Sequence, residues 1–323
     1  MRGLTVFVAA TIVSLGACRT IETKLPPVEL PETSVQSLPD VERWWTQFND
    51  PQLNALIEEA FAANLDLRVA IARIEEARAG LGVARSFLYP TVDAYANADR
   101  SRRSNATDLS FPGPQYTNIY GVGLQVSYEV DLSGRVAAGV SAADSTLLAT
   151  RYNTEAVRTV LAAQVATTYF TLLSLDAELQ ISRDTLVTRD DAVGLQRQRY
   201  DAGLISEYDL KLAQAERASV AASVPPLQRA RASAEAALAT LAGRSARAVF
   251  TPVIARAGLV EAAMVPEVPV GLPSDVLARR PDIRQSEAQL ASATARVAEA
   301  RAQYFPSLLL TGVYGSESSD LSN

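Results

Sequence analysis

The chain has 323 residues, 48% of them hydrophobic, with 16 glycines, 16 prolines and a formal net charge of −6. That is enough apolar material for an ordered fold of nominally about two domains, and charge spread along the chain with no basic cluster alternating with aromatics argues against nucleic acid as a partner. With no histidine, general-base, proton-shuttle and zinc chemistry built on imidazole is excluded, and the single cysteine, Cys18, has neither a disulfide partner nor a base beside it; no enzyme, metal or cofactor is expected.

At the N-terminus, Met1-Arg2 gives a small positive region and Leu4 to Leu15 an apolar run too short to span a bilayer comfortably. Residues 1–17 are predicted to be a signal peptide. Leu15-Gly16-Ala17-Cys18 resembles the bacterial lipobox, which implies acylation of Cys18 and durable membrane attachment. An ordinary signal peptide with an incidental cysteine is the alternative. Residues 18–40, with Pro26, Pro27, Pro31 and Pro39, are expected to be a lipidated, extended tether.

An internal repeat follows. Leu65 to Pro90 matches Pro281 to Pro306 without a gap, at a constant offset of 216 residues (282 minus 66). Asp66, Arg68, Arg85 and Pro90 coincide with Asp282, Arg284, Arg301 and Pro306. Both copies carry apolar residues every seven positions: Leu53, Ala60, Leu67, Ile74, Leu81 and Leu88 in the first, Val276, Ile283, Leu290, Val297 and Tyr304 in the second. Each copy is predicted to be one helix, packed as in a coiled coil and ended by its proline.

After Pro90 the period changes to two. Residues 91–100 and 119–130 are predicted strands, with Ser101 to Asn118 as the connecting loop. Tyr120, Val122, Leu124, Val126, Tyr128 and Val130 share one apolar face, while Gly121, Gly123, Gln125, Ser127 and Glu129 share the other. A transmembrane barrel strand, lipid on one face and an aqueous lumen on the other, has this pattern; so does a half-buried sheet of a soluble domain.

No proline occurs from Ser133 to Ala202, and Val165, Leu172, Leu179, Leu186, Val193 and Tyr200 keep the seven-residue spacing. Residues 133–243 are therefore predicted to form a long helical hairpin, turning at Gly203 with Ser206 capping the return helix. Pro225-Pro226 is expected to interrupt that helix, and Asp190 and Asp191 to lie on a solvated face. The first repeat thus covers 41–245, an irregular linker 246–273, and the start of the second repeat 274–323, a helix and one strand from Ser307. Against the first copy, the second lacks a strand and a hairpin, so the repeat is expected to be incomplete and cut short.

Trp44-Trp45 to Leu53, Tyr128 to Gly134-Arg135, Arg199 to Ser206, and Gly271 to Asp282 resemble the TolC-like outer-membrane efflux proteins, most closely the lipidated OprM or NodT branch. The resemblance implies a mostly α fold with a small β part: long antiparallel, coiled-coil-like helices forming a periplasmic helical barrel, and strands of a trimeric transmembrane β-barrel. It implies a homotrimer in the complete protein, set in outer-membrane lipid, conducting drugs or other small solutes passively. Its partners would be a periplasmic adaptor and an inner-membrane RND pump. Arg199, Tyr200, Gly203, Leu204 and Ser206 match the hairpin tip that meets the adaptor, or are a plain helix-turn-helix cap. Gly134-Arg135 matches a structural strand-to-helix junction, and Trp44 and Trp45 are expected to pack near the lipid anchor or against a neighbouring subunit. The resemblance also puts the gate on the second hairpin, and a fragment with open strand edges is expected not to form a working pore. The alternatives are a coiled-coil periplasmic structural lipoprotein and a nonfunctional remnant of an efflux channel.

Overall fold

The computed structural model describes residues 43–104, 116–244 and 279–320. These form two compact units. One takes Ile74–Arg151 and the residues from Arg284 onward; the other takes those up to Arg73 and Tyr152–Ile283.

The second of these units begins with a 3-10 turn, Trp44–Phe48, and helix α1, Pro51–Ala63. Asp50 starts α1: its Oδ1 accepts from the Gln52 and Leu53 amides at 2.8 and 3.2 Å, satisfying two donors that a helix start leaves open, and Pro51 needs no partner for a missing N–H. Helix α2, Leu65–Ser86, follows after Asn64 alone. Helix α3, Arg135–Asp201, is 67 residues without a break, about 100 Å at 1.5 Å per residue. It contributes residues to both units. Helix α4, Glu207–Leu241, returns antiparallel to it.

Leu53, Ile57, Leu67, Val165, Tyr169, Leu172 and Leu238 are fully buried together, bringing α1, α2, α3 and α4 into one core. Burial of each large apolar side chain stabilises by about 1.5–3 kcal/mol, so this cluster is the main anchor of the unit. The Tyr169 hydroxyl donates to Asp50 Oδ2 at 2.6 Å. One carboxylate therefore caps α1 and ties it to the middle of α3. Burial first, then the hydrogen bond and charge of Asp50, raise the Tyr169 pKa well above its ordinary value. Farther along the hairpin the seam is polar: Arg231–Asp176 at 2.6 Å, Arg217–Asp190 at 2.7 Å and Arg189–Glu216 at 2.9 Å link α4 to α3.

The other unit holds strands β1, Thr91–Arg102, β2, Tyr116–Val130, and β3, Leu308–Ser318, in one antiparallel sheet of order β1-β2-β3. Helix α5, Pro281–Ala302, leads into β3. Within this unit α5 approaches α3 through small residues: the Ser292 and Thr146 hydroxyls are 2.9 Å apart, and Ser292 Oγ donates to the Ala142 carbonyl at 3.0 Å.

Several expectations need correction. The repeated stretch from Leu65 is one helix, as predicted, but the seven-residue apolar run that begins at Leu53 is not, because Asn64 divides it: its Oδ1 caps α2 by accepting from the Leu67 amide, while its Nδ2 donates to the Leu241 carbonyl at the end of α4. Pro225 and Pro226 do not interrupt α4. Their fixed φ suits a helix, which runs on through both although an interior proline costs about 3 kcal/mol or more. Leu290 and Val297, expected on the packed seam of the second copy, are exposed, while Ala288 and Ser292 are buried. Small side chains permit the close approach to α3, and the larger stripe turns outward. Trp45 is buried within its own chain, edge-on to Phe61 at 5.5 Å, rather than open to a neighbouring subunit. The strands also run farther than predicted, taking Ser101, Arg102 and Tyr116 to Asn118 from the expected loop.

Replacing Tyr169 with Phe removes a hydrogen bond to a charged acceptor and is expected to cost about 1.5–3 kcal/mol, measured as a lower urea midpoint at pH 7. Because its pKa is raised in the folded state, the contribution is full below the ordinary tyrosine value of 10.0 and is lost as pH rises past it. Tyr169→Phe should therefore flatten the alkaline limb of the stability–pH curve.

Candidate functional site

The sheet is the first candidate surface. β2 is its central strand, and the register places Val126 between Val92 and Gly312, Leu124 between Ala94 and Tyr314, and Val122 between Ala96 and Ser316. Tyr128 and Val130 stand opposite Leu310 and Leu308. All six candidate residues, Tyr120 through Val130 at every second position, therefore share one face with the apolar residues of both neighbours. Val122 is 61% and Leu124 48% exposed, so this apolar face is uncovered within the chain. The opposite face carries Asp93, Asn97, Gln125, Glu129, Thr311 and Glu317, with Ile119, Leu309 and Val313 as apolar exceptions. On that face the Tyr95 ring lies across β2: its hydroxyl is 2.8 Å from where a Cβ on Gly123 would stand and 3.3 Å from the same point on Gly315.

A charged clasp joins β2 to α3. Arg135 Nε and Nη2 donate to Glu129 Oε1 and Oε2 at 3.0 and 2.6 Å, a bidentate pair. Gly134 takes a positive φ of 75° just before it, and Asp131 Oδ2 accepts from the Ala137 amide at 2.8 Å. Only glycine adopts that φ without strain, so the junction is structural. At the same end of the sheet Phe87, Tyr89, Tyr304 and Phe305 are exposed, clustered where chains leave helices for strands.

The hairpin tip is the second candidate. Gly203, at φ +74°, closes α3: the Leu204 amide donates to the Arg199 carbonyl at 2.9 Å and the Gly203 amide to the Tyr200 carbonyl at 2.8 Å, a Schellman arrangement. Ser206 and Asp209 then form a reciprocal capping box. The Ser206 hydroxyl and amide hold the exposed Asp209 carboxylate below its ordinary value. The five expected tip residues do fall together, but with different duties: Gly203 and Ser206 shape the turn, whereas Leu204, 74% exposed, and Tyr200 offer side chains to solvent. Tyr208, 73% exposed, and Leu212 add to this apolar tip and were missed in the sequence. Their spacing of four residues on α4, offset from the buried Leu210, was the available signal. Asp190 is half-exposed and paired to Arg217; Asp191 is exposed.

Cys18 lies outside the described residues. Among those that are described, no cluster of Cys, Asp and Glu is arranged to hold a metal ion.

The profile of the outer membrane efflux proteins matches residues 56–244 and 272–323. The chain belongs to that family, and its location is the outer membrane, extending into the periplasm. It is 33% identical to the probable efflux pump outer membrane protein TtgC of Pseudomonas putida, over 97% of this chain and 66% of that one. With the probable outer membrane lipoprotein SilC of Salmonella typhimurium it shares 30% identity over 99% of this chain and 68% of the relative. The solved Campylobacter jejuni CmeC outer membrane channel superposes with a TM-score of 0.81 at 27% identity, over 92% of this chain and 66% of that one. The chain thus spans about two thirds of the length of these relatives.

Ser206→Ala is expected to destabilise the hairpin tip by about 1 kcal/mol, seen as faster exchange of the Asp209 amide with the core cluster unaffected. Because the Asp209 pKa is lowered, its share of the cap is full above the ordinary aspartate value of 3.8 and is lost as pH falls through the depressed value. The same amide should lose protection on acidification in the native chain, and less so in the variant.

Proposed function

We propose that the chain acts as the outer-membrane duct of a tripartite efflux system, a passive conduit for drugs or other small solutes rather than an enzyme. The observation that carries this reading is the uncovered apolar face of Tyr120 to Val130, aligned in register with apolar residues of both neighbouring strands. Ten residue steps at about 3.4 Å give about 34 Å along the strand, enough at a tilt of about 40° to cross an apolar band about 25 Å tall. Water would be a poor solvent for that face; hydrocarbon suits it. Among the described strands β1 and β3 are edges, and in lipid unpaired edges cost several kcal/mol per group. Pairing with other strands in a closed barrel removes that cost, and a three-fold ring of identical subunits closes without free interfaces.

The polar face, with Asp93, Asn97, Gln125 and Glu129, would line the water-filled lumen. The α3–α4 hairpin would form part of the periplasmic tunnel. Its tip, with Tyr200, Leu204 and Tyr208 exposed, would meet a periplasmic adaptor, through which an inner-membrane pump supplies the energy. Cys18 would carry the acyl chains that hold the N-terminus to the membrane. A purely structural coiled-coil lipoprotein has no use for an uncovered apolar sheet face.

Fused to the remaining third of a relative such as TtgC and expressed in a strain lacking its own outer-membrane efflux component, the chain should fractionate with the outer membrane and restore resistance to exported compounds. A membrane-inserted fusion without any restoration in the presence of adaptor and pump would overturn the duct reading. Leu124→Arg, at the middle of the apolar face, should cost about 2–4 kcal/mol of insertion and leave β2 open to protease in membrane preparations.

A further inference from the structure

Beyond the apolar band, the same face of the sheet changes character abruptly. β1 continues from Ala98 to Arg100 and Arg102 while β2 begins at Tyr116, and the register pairs Ala98 with Tyr120, Arg100 with Asn118 and Arg102 with Tyr116. Even-numbered positions stay on one face, so both arginines point to the side that carries Val122, Leu124 and Val126, not to the side of Asp93 and Glu129. They converge: the Arg100 and Arg102 guanidinium carbons lie 5.3 and 5.7 Å from the centre of the single Tyr116 ring. The ring's π-system attracts both cations, which gathers two positive charges beside one side chain. No described carboxylate forms an ion pair with either one, and Arg100, Arg102 and Tyr116 are all exposed.

We infer that Arg100, Arg102 and Tyr116 form a binding site for the phosphate of an anionic lipid headgroup in the outer leaflet. Each planar guanidinium fork can meet a phosphate bidentately, and an anion there offsets the two positive charges gathered at one ring. Depth selects the source of that phosphate. Arg100 and Arg102 lie about 7 and 14 Å along the strand past the Tyr120 row, hence about 5 and 10 Å above the hydrocarbon at a tilt of about 40°. A bilayer's headgroup layer begins at that level. The opposite end of the sheet is where α2, α3 and α5 join the strands, so the arginine end faces away from the periplasm. An anion approaching this face arrives in the plane of the lipid, held there by acyl chains against Val122 and Leu124. The site rests on the membrane reading of the sheet given above.

The test uses the full chain in mild detergent, titrated with diphosphorylated lipid A and followed by native mass spectrometry. R100Q/R102Q should bind lipid A at least tenfold more weakly, and wild-type binding should weaken steeply with salt. Tyr116→Ala, which keeps both charges but frees them, should lose several-fold, guarding against a double variant that fails to fold. Equal affinity in wild type and R100Q/R102Q overturns the site; so does full competition by inorganic phosphate at the same concentration, which would assign it to free anions. Flotation of both proteins with phosphatidylcholine vesicles separates the two ideas. Failure of the wild type to insert sinks the membrane reading, whereas equal insertion with equal lipid A binding sinks only the phosphate site.

Discussion

The pairing register of β2 against β1 and β3 is the constraint on which the surface chemistry depends. Side chains alternate with a period of two, so a slip of one residue would send every apolar residue of β2 to the face of Asp93 and Glu129. No turn sets the β2–β3 register, since Val130 and Leu308 are far apart in sequence. It is fixed by side-chain agreement: three strands each bring an apolar row to the same side. The bidentate Arg135–Glu129 pair then fixes the end of β2 to the start of α3.

The helical part is organised by a different rule. Near Tyr169 the packing is dry and the seven-residue stripe is buried at Val165, Leu172 and Leu179. Toward the tip the same stripe emerges at Leu186, Val193 and Tyr200, and ion pairs between α3 and α4 take over. Surface pairs of this kind contribute at most about 1 kcal/mol each. The hairpin is therefore anchored firmly in one region and held lightly in the other, where Leu204 and Tyr208 stand exposed.

How much of this was legible in the sequence follows from the range of the interactions involved. The alternation of Tyr120 to Val130 and the proline-free run to Asp201 are local patterns, and local geometry alone turns them into a strand and a helix. Asn64 was illegible because its side chain reaches the Leu241 carbonyl across 177 positions. The outward turn of Leu290 and Val297 was illegible too, because it depends on Ser292 approaching Thr146 and Ala142, a contact that favours small side chains over the larger apolar stripe. At the tip, Gly203 and Ser206 carry conformational signatures that any sequence reader can find, whereas Tyr208 and Leu212 carry only a spacing of four residues, which does not say whether α3 covers them. Arg100, Arg102 and Tyr116 become a cluster only once the cross-strand register is known.

The Tyr95 ring lying flat over β2 makes two glycines unequal in what they can become. A methyl group on Gly123 would meet only the ring's outer atoms, which can swing away, so that position can diversify once Tyr95 has shrunk. On Gly315 it would meet the Val122 carbonyl at 2.6 Å and the Gly123 Cα at 2.9 Å, and no neighbouring substitution relieves a clash with backbone. Divergence along this lineage is consequently order-dependent: changes at 95 open the way at 123, while 315 stays locked whatever precedes it.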